Sequence, residues 1–270
     1  MPELPEVETI ARDLHNVLSG QKVMAAEFLN TAIREDCTRF APTVLIGNNL
    51  ESVSRRGKNL IFRFQNNFAI VCHLKMTGRL IIDADLPNNK KHLHFQMQFD
   101  KSRLSFYDVR KFGRICITDL SGLEKHPRLR KLGPEPFALT SDEFVKLVKL
   151  RNKPIKLILM DQEIIAGIGN IYADESLYDA GIKPTLKPSK ISRPRLIKLL
   201  ESIVKVLTIS INNRGTSVDD YLDGHGQKGN FQNLIKVYGK TGQPCPTCGA
   251  KIKRVVLGGR STHYCTRCQK

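Results

Sequence analysis

Four cysteines fall in two pairs near the C-terminus, Cys245-Pro246-Thr247-Cys248 and Cys265-Thr266-Arg267-Cys268, with sixteen residues between the pairs. Two C-x-x-C pairs so spaced can offer four thiolates in a tetrahedron, the set that suits Zn²⁺. Four thiolates leave no open position for a substrate, so one structural zinc per chain is expected, stapling a hairpin too small to hold itself by burial. At the other end the chain opens Met1-Pro2-Glu3-Leu4-Pro5-Glu6. A small second residue permits removal of the initiator methionine, which would leave Pro2 with a free secondary amine. An α-amino group titrates near ~8, against about 10.4 for lysine, so far more of it is neutral at cellular pH. Attack of such an amine on an aldehyde carbon gives an iminium that stays positive without a proton and serves as an electron sink for elimination. Glu3 and Glu6 set carboxylates beside the amine at a helix start, where the dipole favours anions. Proline also opens helices and glutamate enriches first turns, so these six residues alone fit either reading.

The elements that carry these groups follow from hydrophobic spacing. Over residues 5–19, Val7, Ile10, Ala11, Leu14, Val17 and Leu18 keep helical spacing, and Gly20 supplies a stop. Strands are expected at 60–64 and 69–74, around the polar turn Gln65-Asn66-Asn67. Leu93, Phe95, Met97 and Phe99 alternate with His94, Gln96 and Gln98, the period of a strand buried on one face. Further strands are expected at 103–107 and 114–118, which together suggest an antiparallel sandwich or barrel. After Asp119 the character changes. Thr140 and Glu143 form a capping box, and helices are expected over 154–161, 170–180 and 192–211. The basic tail from Lys236 reads as a small β hairpin. Cys37, Cys72 and Cys116 stand alone and are expected in the core.

The chain has 270 residues, of which 41% are hydrophobic, enough for a sizeable core. Lys and Arg total 43 against 26 Asp and Glu, a net charge of +17, with an isoelectric point near 9.7. Such an excess points to a polyanionic partner, most often nucleic acid. It is concentrated at the end: from Gly224 to Lys270 there is no Asp or Glu, against nine Lys or Arg. No apolar run approaches a membrane span. The acidic opening does not fit a secretory signal, and the unpaired cysteine count points to a reducing compartment. A soluble, cytosolic protein is expected.

Several islands carry a resemblance. Met-Pro-Glu-Leu-Pro-Glu-Val-Glu-Thr at 1–9, Arg56-Gly57-Lys58, His73-Leu74-Lys75-Met76-Thr77-Gly78, Asp108-Val109-Arg110-Lys111-Phe112-Gly113, Leu132-Gly133-Pro134-Glu135-Pro136 and Gly167-Ile168-Gly169-Asn170-Ile171-Tyr172-Ala173 precede the zinc hairpin. In that order, over essentially the whole chain, they resemble bacterial formamidopyrimidine-DNA glycosylases, repair enzymes for oxidised purines. The resemblance implies an α+β fold: an N-terminal antiparallel β sandwich with an N-terminal helix, then a helix-two-turn-helix domain ending in a zinc-finger hairpin. Domains are expected at 1–132, 133–235 and 236–270.

The resemblance also implies a mechanism. Pro2 attacks the anomeric carbon of a nucleotide turned out of the duplex and expels the damaged base. Glu3 protonates the sugar-ring oxygen, Glu6 fixes the N-terminus, and Lys58 serves the first of two eliminations that cut the strand. The family gives the second to Arg260. A guanidinium does not readily release a proton, so Arg260 reads mainly as a phosphate clamp. Met76, Arg110 and Phe112 match the family's three fillers of the vacated gap: Phe112 suits wedging between bases, and Arg110 can donate to the orphaned cytosine. Candidates for phosphate contact are His73, His92, Lys111, Arg151, Asn152, Lys153, Lys156 and Asn170, with backbone N–H groups of the Gly167-Ile168-Gly169 turn. Lys111 stands where many members have Arg and Val109 where many have Pro, so the grip of this turn is left open. Residues 219–230, with three glycines, are expected to form a mobile loop over the extruded base.

The implied partner is double-stranded DNA with oxidised bases or abasic sites, bound by a monomer in the bacterial cytoplasm, on the nucleoid, with no membrane. Two other readings compete. One is an endonuclease VIII-like enzyme for oxidised pyrimidines, against which Leu4, Arg110 and Phe112 argue. The other is a non-catalytic zinc-ribbon protein that binds DNA without cutting it.

Overall fold

A computed structural model of the chain describes residues 1–38, 40–83, 90–217 and 221–270. It divides into two compact units: Met1–Arg130 with Ile211–Gln232, and Lys131–Ser210 with Asn233–Lys270. Of the three segments expected from the sequence, the middle one is therefore shared, because residues 211–232 return to the N-terminal unit.

The first unit opens with helix α1 (Leu4–Leu18), whose apolar stripe Val7, Ile10, Leu14 and Leu18 is buried. Eight strands follow: β1 (Val23–Phe28), β2 (Leu50–Arg56), β3 (Asn59–Phe64), β4 (Phe68–His73), β5 (Gly78–Ile82), β6 (Leu93–Phe99), β7 (Arg103–Asp108) and β8 (Arg114–Asp119). They form two antiparallel four-stranded sheets, ordered β1-β6-β7-β5 and β2-β3-β4-β8. Side chains from both sheets, among them Phe62, Phe64, Ile70, Phe95, Met97, Phe106 and Ile117, join the stripe of α1 in one core. That is the sandwich expected from period-2 alternation. Short helices α2 (Leu120–Glu124) and α3 (Pro127–Arg130) follow β8, and Leu123 and Leu129 cover a smaller cluster on the outer side of the second sheet.

One strand departs from simple alternation. Between Leu93 and Phe95 the pairing of β6 with β7 slips by a residue, so His94 turns inward and is only 1% exposed. A bulge re-aims a side chain in this way, and nothing in the alternating pattern signals it. A second departure concerns the lone cysteines. Cys72 is a core residue, as expected, but Cys37 and Cys116 are not isolated: their sulfurs lie in bonding contact. Residues 79 positions apart give no local sign of meeting.

The second unit contains α4 (Ser141–Lys149), α5 (Ile155–Met160), α6 (Asn170–Asp179) and all but the last two residues of α7 (Arg193–Asn212). Thr140 caps α4, with its hydroxyl accepting the Glu143 N–H and the Glu143 carboxylate accepting the Thr140 N–H. The unit ends in the hairpin β9 (Lys253–Leu257) and β10 (Arg260–Tyr264). No helix among the described residues is long and apolar enough to cross a membrane.

Candidate functional site

The N-terminal turn is held by a reciprocal capping box of Glu3 and Glu6, in which the Glu3 carboxylate accepts the Glu6 N–H. One oxygen of Glu6 accepts the backbone N–H of Glu3 at 2.8 Å, and the other accepts that of Thr216, also at 2.8 Å. Bonds from backbone N–H groups to an ionised acceptor are among the stronger kind, so Glu6 anchors the start of α1. Glu3 is extended at the helix N-cap (φ −104°) and buried, Pro2 is buried beside it, and Met1 projects outward. Lys58 lies in the two-residue turn between β2 and β3, after Gly57 with its φ of +57°. At 6% exposure it is no ordinary surface lysine.

On the same unit, Met76, Arg110 and Phe112 come together at an exposed tip. The Arg110 guanidinium lies over the Phe112 ring, 4.6 Å from its centroid, and its Nη1 is 3.2 Å from the Met76 sulfur. Met76 and Phe112 are 45% and 46% exposed, so neither is a core residue. The tip is rigid because the fully buried Asp108 carboxylate accepts from the Thr77 hydroxyl and from the N–H groups of Arg110 (3.1 Å) and Gly113 (2.6 Å). His94, turned inward by the bulge, donates from Nε2 to the Asp108 carbonyl at 2.7 Å. Arg114 donates to the carbonyls of Lys111 (2.9 Å) and Gly113 (2.7 Å). Lys111 is exposed in the left-handed region (φ +55°). His73 accepts the Lys75 N–H on Nδ1 at 2.9 Å. Burial, then the charges of Lys75, Arg128 and Lys58, push its pKa down to about 3. It is therefore neutral at cellular pH, with its ring proton on Nε2, and can meet phosphate only as a neutral donor.

In the second unit the four paired cysteines converge. Cys245 and Cys268 sulfurs are 3.8 Å apart and those of Cys248 and Cys265 3.5 Å, and all four lie within 4.8 Å of one another. A tetrahedron with Zn–S near 2.3 Å has edges of roughly 3.8 Å, so the set fits one zinc ion. Cys245 also takes part in a 3.2 Å contact with the Tyr178 hydroxyl. The hairpin turn beyond has Gly258 and Gly259 both at positive φ (+52° and +73°), as a two-residue turn between twisted strands requires. Arg260 follows at the exposed start of β10.

Models of three domains match the chain: the formamidopyrimidine-DNA glycosylase N-terminal domain over residues 1–115, the H2TH domain of the same enzymes over 132–221, and the zinc finger found in FPG and IleRS over 242–270. The chain belongs to the formamidopyrimidine-DNA glycosylase family. Relatives of that name from Desulforamulus reducens and Bdellovibrio bacteriovorus are each 40% identical over 276 residues, covering 100% of this chain and 99% and 100% of their own lengths. The fold agrees. An Fpg variant of Lactococcus lactis bound to DNA containing Fapy-dG superposes with a TM-score of 0.90 at 34% identity, over 100% of both chains. The Fpg of Thermus thermophilus does so at 0.89 and 33%, over 99% of this chain and 98% of that one.

Within this glycosylase-family fold, one expected phosphate contact is corrected. Lys156 is completely buried and pairs with Asp174 at 2.7 Å. Its ammonium also donates to the Ser261 carbonyl and the Thr262 hydroxyl, both at 2.9 Å. All of its donors face protein, so it holds β10 instead of reaching DNA. Asp174 accepts the His263 N–H at 2.8 Å, and Glu175 accepts the N–H groups of Lys236, Val237 and Tyr238 at 2.8–2.9 Å. These two carboxylates of α6 carry no motif that sequence reading could have used.

The other phosphate candidates keep open faces to different degrees. Arg151, Asn152 and Lys153 are exposed in the α4–α5 connection, while His92, before β6, and Asn170, the first residue of α6, are half-buried. In the Gly167-Ile168-Gly169 turn the Gly167 N–H already donates to Gln162 at 2.9 Å, so it is committed within the protein. Asp219 and Asp220 of the expected loop lie outside the described residues. The rest of it is tied down: Arg214 donates to Asp13 and Asp223, each at 2.6 Å, and the Asp223 carboxylate accepts from Gln227 N–H at 2.8 Å. A side chain at Gly229 would meet the Gly215 carbonyl at 2.2 Å. Gly224, where a side chain would meet Asp13 at 2.8 Å, and Gly229 serve close packing, whereas Gly226 takes a positive φ of +76°.

Proposed function

We propose that the protein is a DNA glycosylase and strand-cleaving lyase that removes oxidised purines, formamidopyrimidines among them, from double-stranded DNA. The observation that carries this reading is the grip of Glu6 on the Glu3 N–H, which fixes the residue next to Pro2. With Met1 removed, the Pro2 amine attacks the sugar's anomeric carbon, and the bond to the damaged base breaks. Glu3 protonates the ring oxygen as the sugar opens to an iminium. Loss of a proton from the adjacent carbon, served by Lys58, releases the 3′ phosphate. A second elimination releases the 5′ phosphate, with Arg260 clamping the charge that departs. Water then frees the amine.

The tip of Met76, Arg110 and Phe112 fills the space left by the extruded nucleotide, with the ring entering the stack and the guanidinium meeting the orphaned base. His73, His92, Lys111, Arg151, Asn152, Lys153 and Asn170 grip phosphate, which makes binding strongly salt-dependent. Zinc supplies no chemistry to the reaction and serves only to fix the hairpin that carries Arg260. The enzyme acts as a monomer on cytoplasmic, nucleoid DNA.

The test is reduction with borohydride during reaction with duplexes carrying 8-oxoguanine or thymine glycol. A covalent protein–DNA adduct that forms faster with 8-oxoguanine is expected. Binding without an adduct would leave a non-catalytic DNA-binding protein, and preference for thymine glycol would move the assignment to oxidised pyrimidines.

A further inference from the structure

Residues 34–38 run along β8. Arg34 bridges Ile115 in parallel sense, and the Ile115 carbonyl accepts the Glu35 N–H at 2.9 Å and the Thr38 hydroxyl at 3.1 Å. This lays half-buried Cys37 over fully buried Cys116, with Cα atoms 5.9 Å apart and sulfurs in bonding contact. That spacing is the common one for a disulfide, about 5.5–6 Å. A third group completes the cluster: His126 Nε2 is 3.4 Å from the Cys37 sulfur.

Cys37, Cys116 and His126 could in principle hold a metal ion. The histidine argues otherwise. Its Nδ1 accepts the Arg128 N–H at 3.3 Å, so the neutral ring carries its proton on Nε2 and points an N–H, not a lone pair, at Cys37. A metal would need that lone pair, whereas a thiolate is stabilised by the donor. Glu35 faces the same ring at 3.8 Å from Nε2 and is itself paired with Arg128 at 3.1 Å.

We propose that Cys37 and Cys116 form a reversible thiol–disulfide site, oxidised by a peroxide and restored by a dithiol, with His126 steadying the Cys37 thiolate. The Cys37 thiolate attacks a peroxide oxygen. An S–O bond forms, the O–O bond breaks, and the departing hydroxide takes up a proton as water, leaving a sulfenic acid. Cys116 sulfur then attacks that sulfur: the S–S bond forms, the S–O bond breaks, and a second water leaves with the Cys116 proton. Two thiols have been oxidised and one peroxide reduced. Cys37 is the residue oxidised first because it alone of the pair is partly open to solvent. The link lies at the root of the exposed tip, since Cys116 is two residues beyond Arg114, which holds the Lys111 and Gly113 carbonyls. It also closes a 79-residue span, a constraint that stabilises the folded chain against the unfolded one.

The test uses reduced, zinc-loaded full-length protein and one equivalent of hydrogen peroxide, followed by alkylation, digestion and mass spectrometry. The expected result is a Cys37–Cys116 cross-linked peptide that disappears on treatment with dithiothreitol, with Cys72 unmodified and zinc retained. The melting temperature of the oxidised form should be several degrees higher, and Cys37→Ser should abolish both effects. If that variant fails to fold, the wild-type peptide map decides by itself. Free thiols at both positions, oxidation of the zinc cysteines in their place, or a second equivalent of zinc in the reduced protein would each overturn the proposal.

Discussion

The N-terminal turn of the first unit and the C-terminal hairpin of the second solve one problem with different means. Each must hold a short segment still, and each does so with a buried carboxylate accepting backbone N–H groups: Glu6 at the N-terminal turn, as Asp108 does at the exposed tip of the same unit, and Asp174 at β10, with Glu175 holding residues 236–238 before the hairpin. The difference lies underneath. Glu6 and Asp108 work on top of a two-sheet core, whereas β9 buries none of its five residues. The hairpin, with only Thr262, His263 and Tyr264 of β10 buried, leans on a metal cluster and on Lys156, which has no exposed surface. Loss of one anchor in the first unit should therefore loosen a local turn; loss of one in the second should release the whole hairpin.

The largest effect is expected from the metal. Cys265→Ser, or a strong chelator, removes a contribution on the order of 10 kcal/mol at the site. Amide signals of residues 242–270 should collapse in NMR spectra while those of the sandwich strands persist. Loss of both together would erase the contrast. Next comes Lys156→Ala, which leaves the Asp174 charge buried without its partner and should cost about 3–5 kcal/mol in denaturant unfolding. Lys205→Ala, which breaks an exposed pair with Asp179, should cost no more than about 1 kcal/mol by the same measurement.

That Lys156 is structural was not legible in the sequence, and the reason is general. A basic residue after Arg151-Asn152-Lys153 in a chain of high positive charge reads as one more phosphate contact. Its burial is set by Asp174, Ser261 and Thr262, up to 106 positions away. His94 and the Cys37–Cys116 pair escaped notice for the same reason, as a bulge and a long-range bridge leave no periodic trace. What could be read was local. The stripe of α1, the alternation in β6, the capping box at Thr140 and the two cysteine pairs each encode their geometry within a few residues. The return of residues 211–232 to the first unit is long-range again, fixed by Arg214 against Asp13 and by Thr216 against Glu6.

Smaller effects sharpen the comparison within the first unit. Glu6→Gln keeps one acceptor oxygen but puts an amide donor against a backbone N–H, and should cost about 1–3 kcal/mol in unfolding. Its nicking of damaged duplex should fall more than its binding, because the turn that carries Pro2 loosens. Phe112→Ala removes an exposed ring and should change stability by no more than about 0.5 kcal/mol. Its affinity for lesion-bearing duplex should fall by about 1–3 kcal/mol, roughly fivefold to 150-fold in titration. A large loss of stability would instead make the ring part of the core.

The central claim is that a proline amine at the N-terminus bonds to deoxyribose. Mass spectrometry of the borohydride-trapped adduct after proteolysis tests it most directly. The account predicts that the sugar remnant sits on the nitrogen of Pro2, in a peptide lacking Met1. A remnant on the side chain of Lys58 or any other lysine, with Pro2 unmodified, would contradict it.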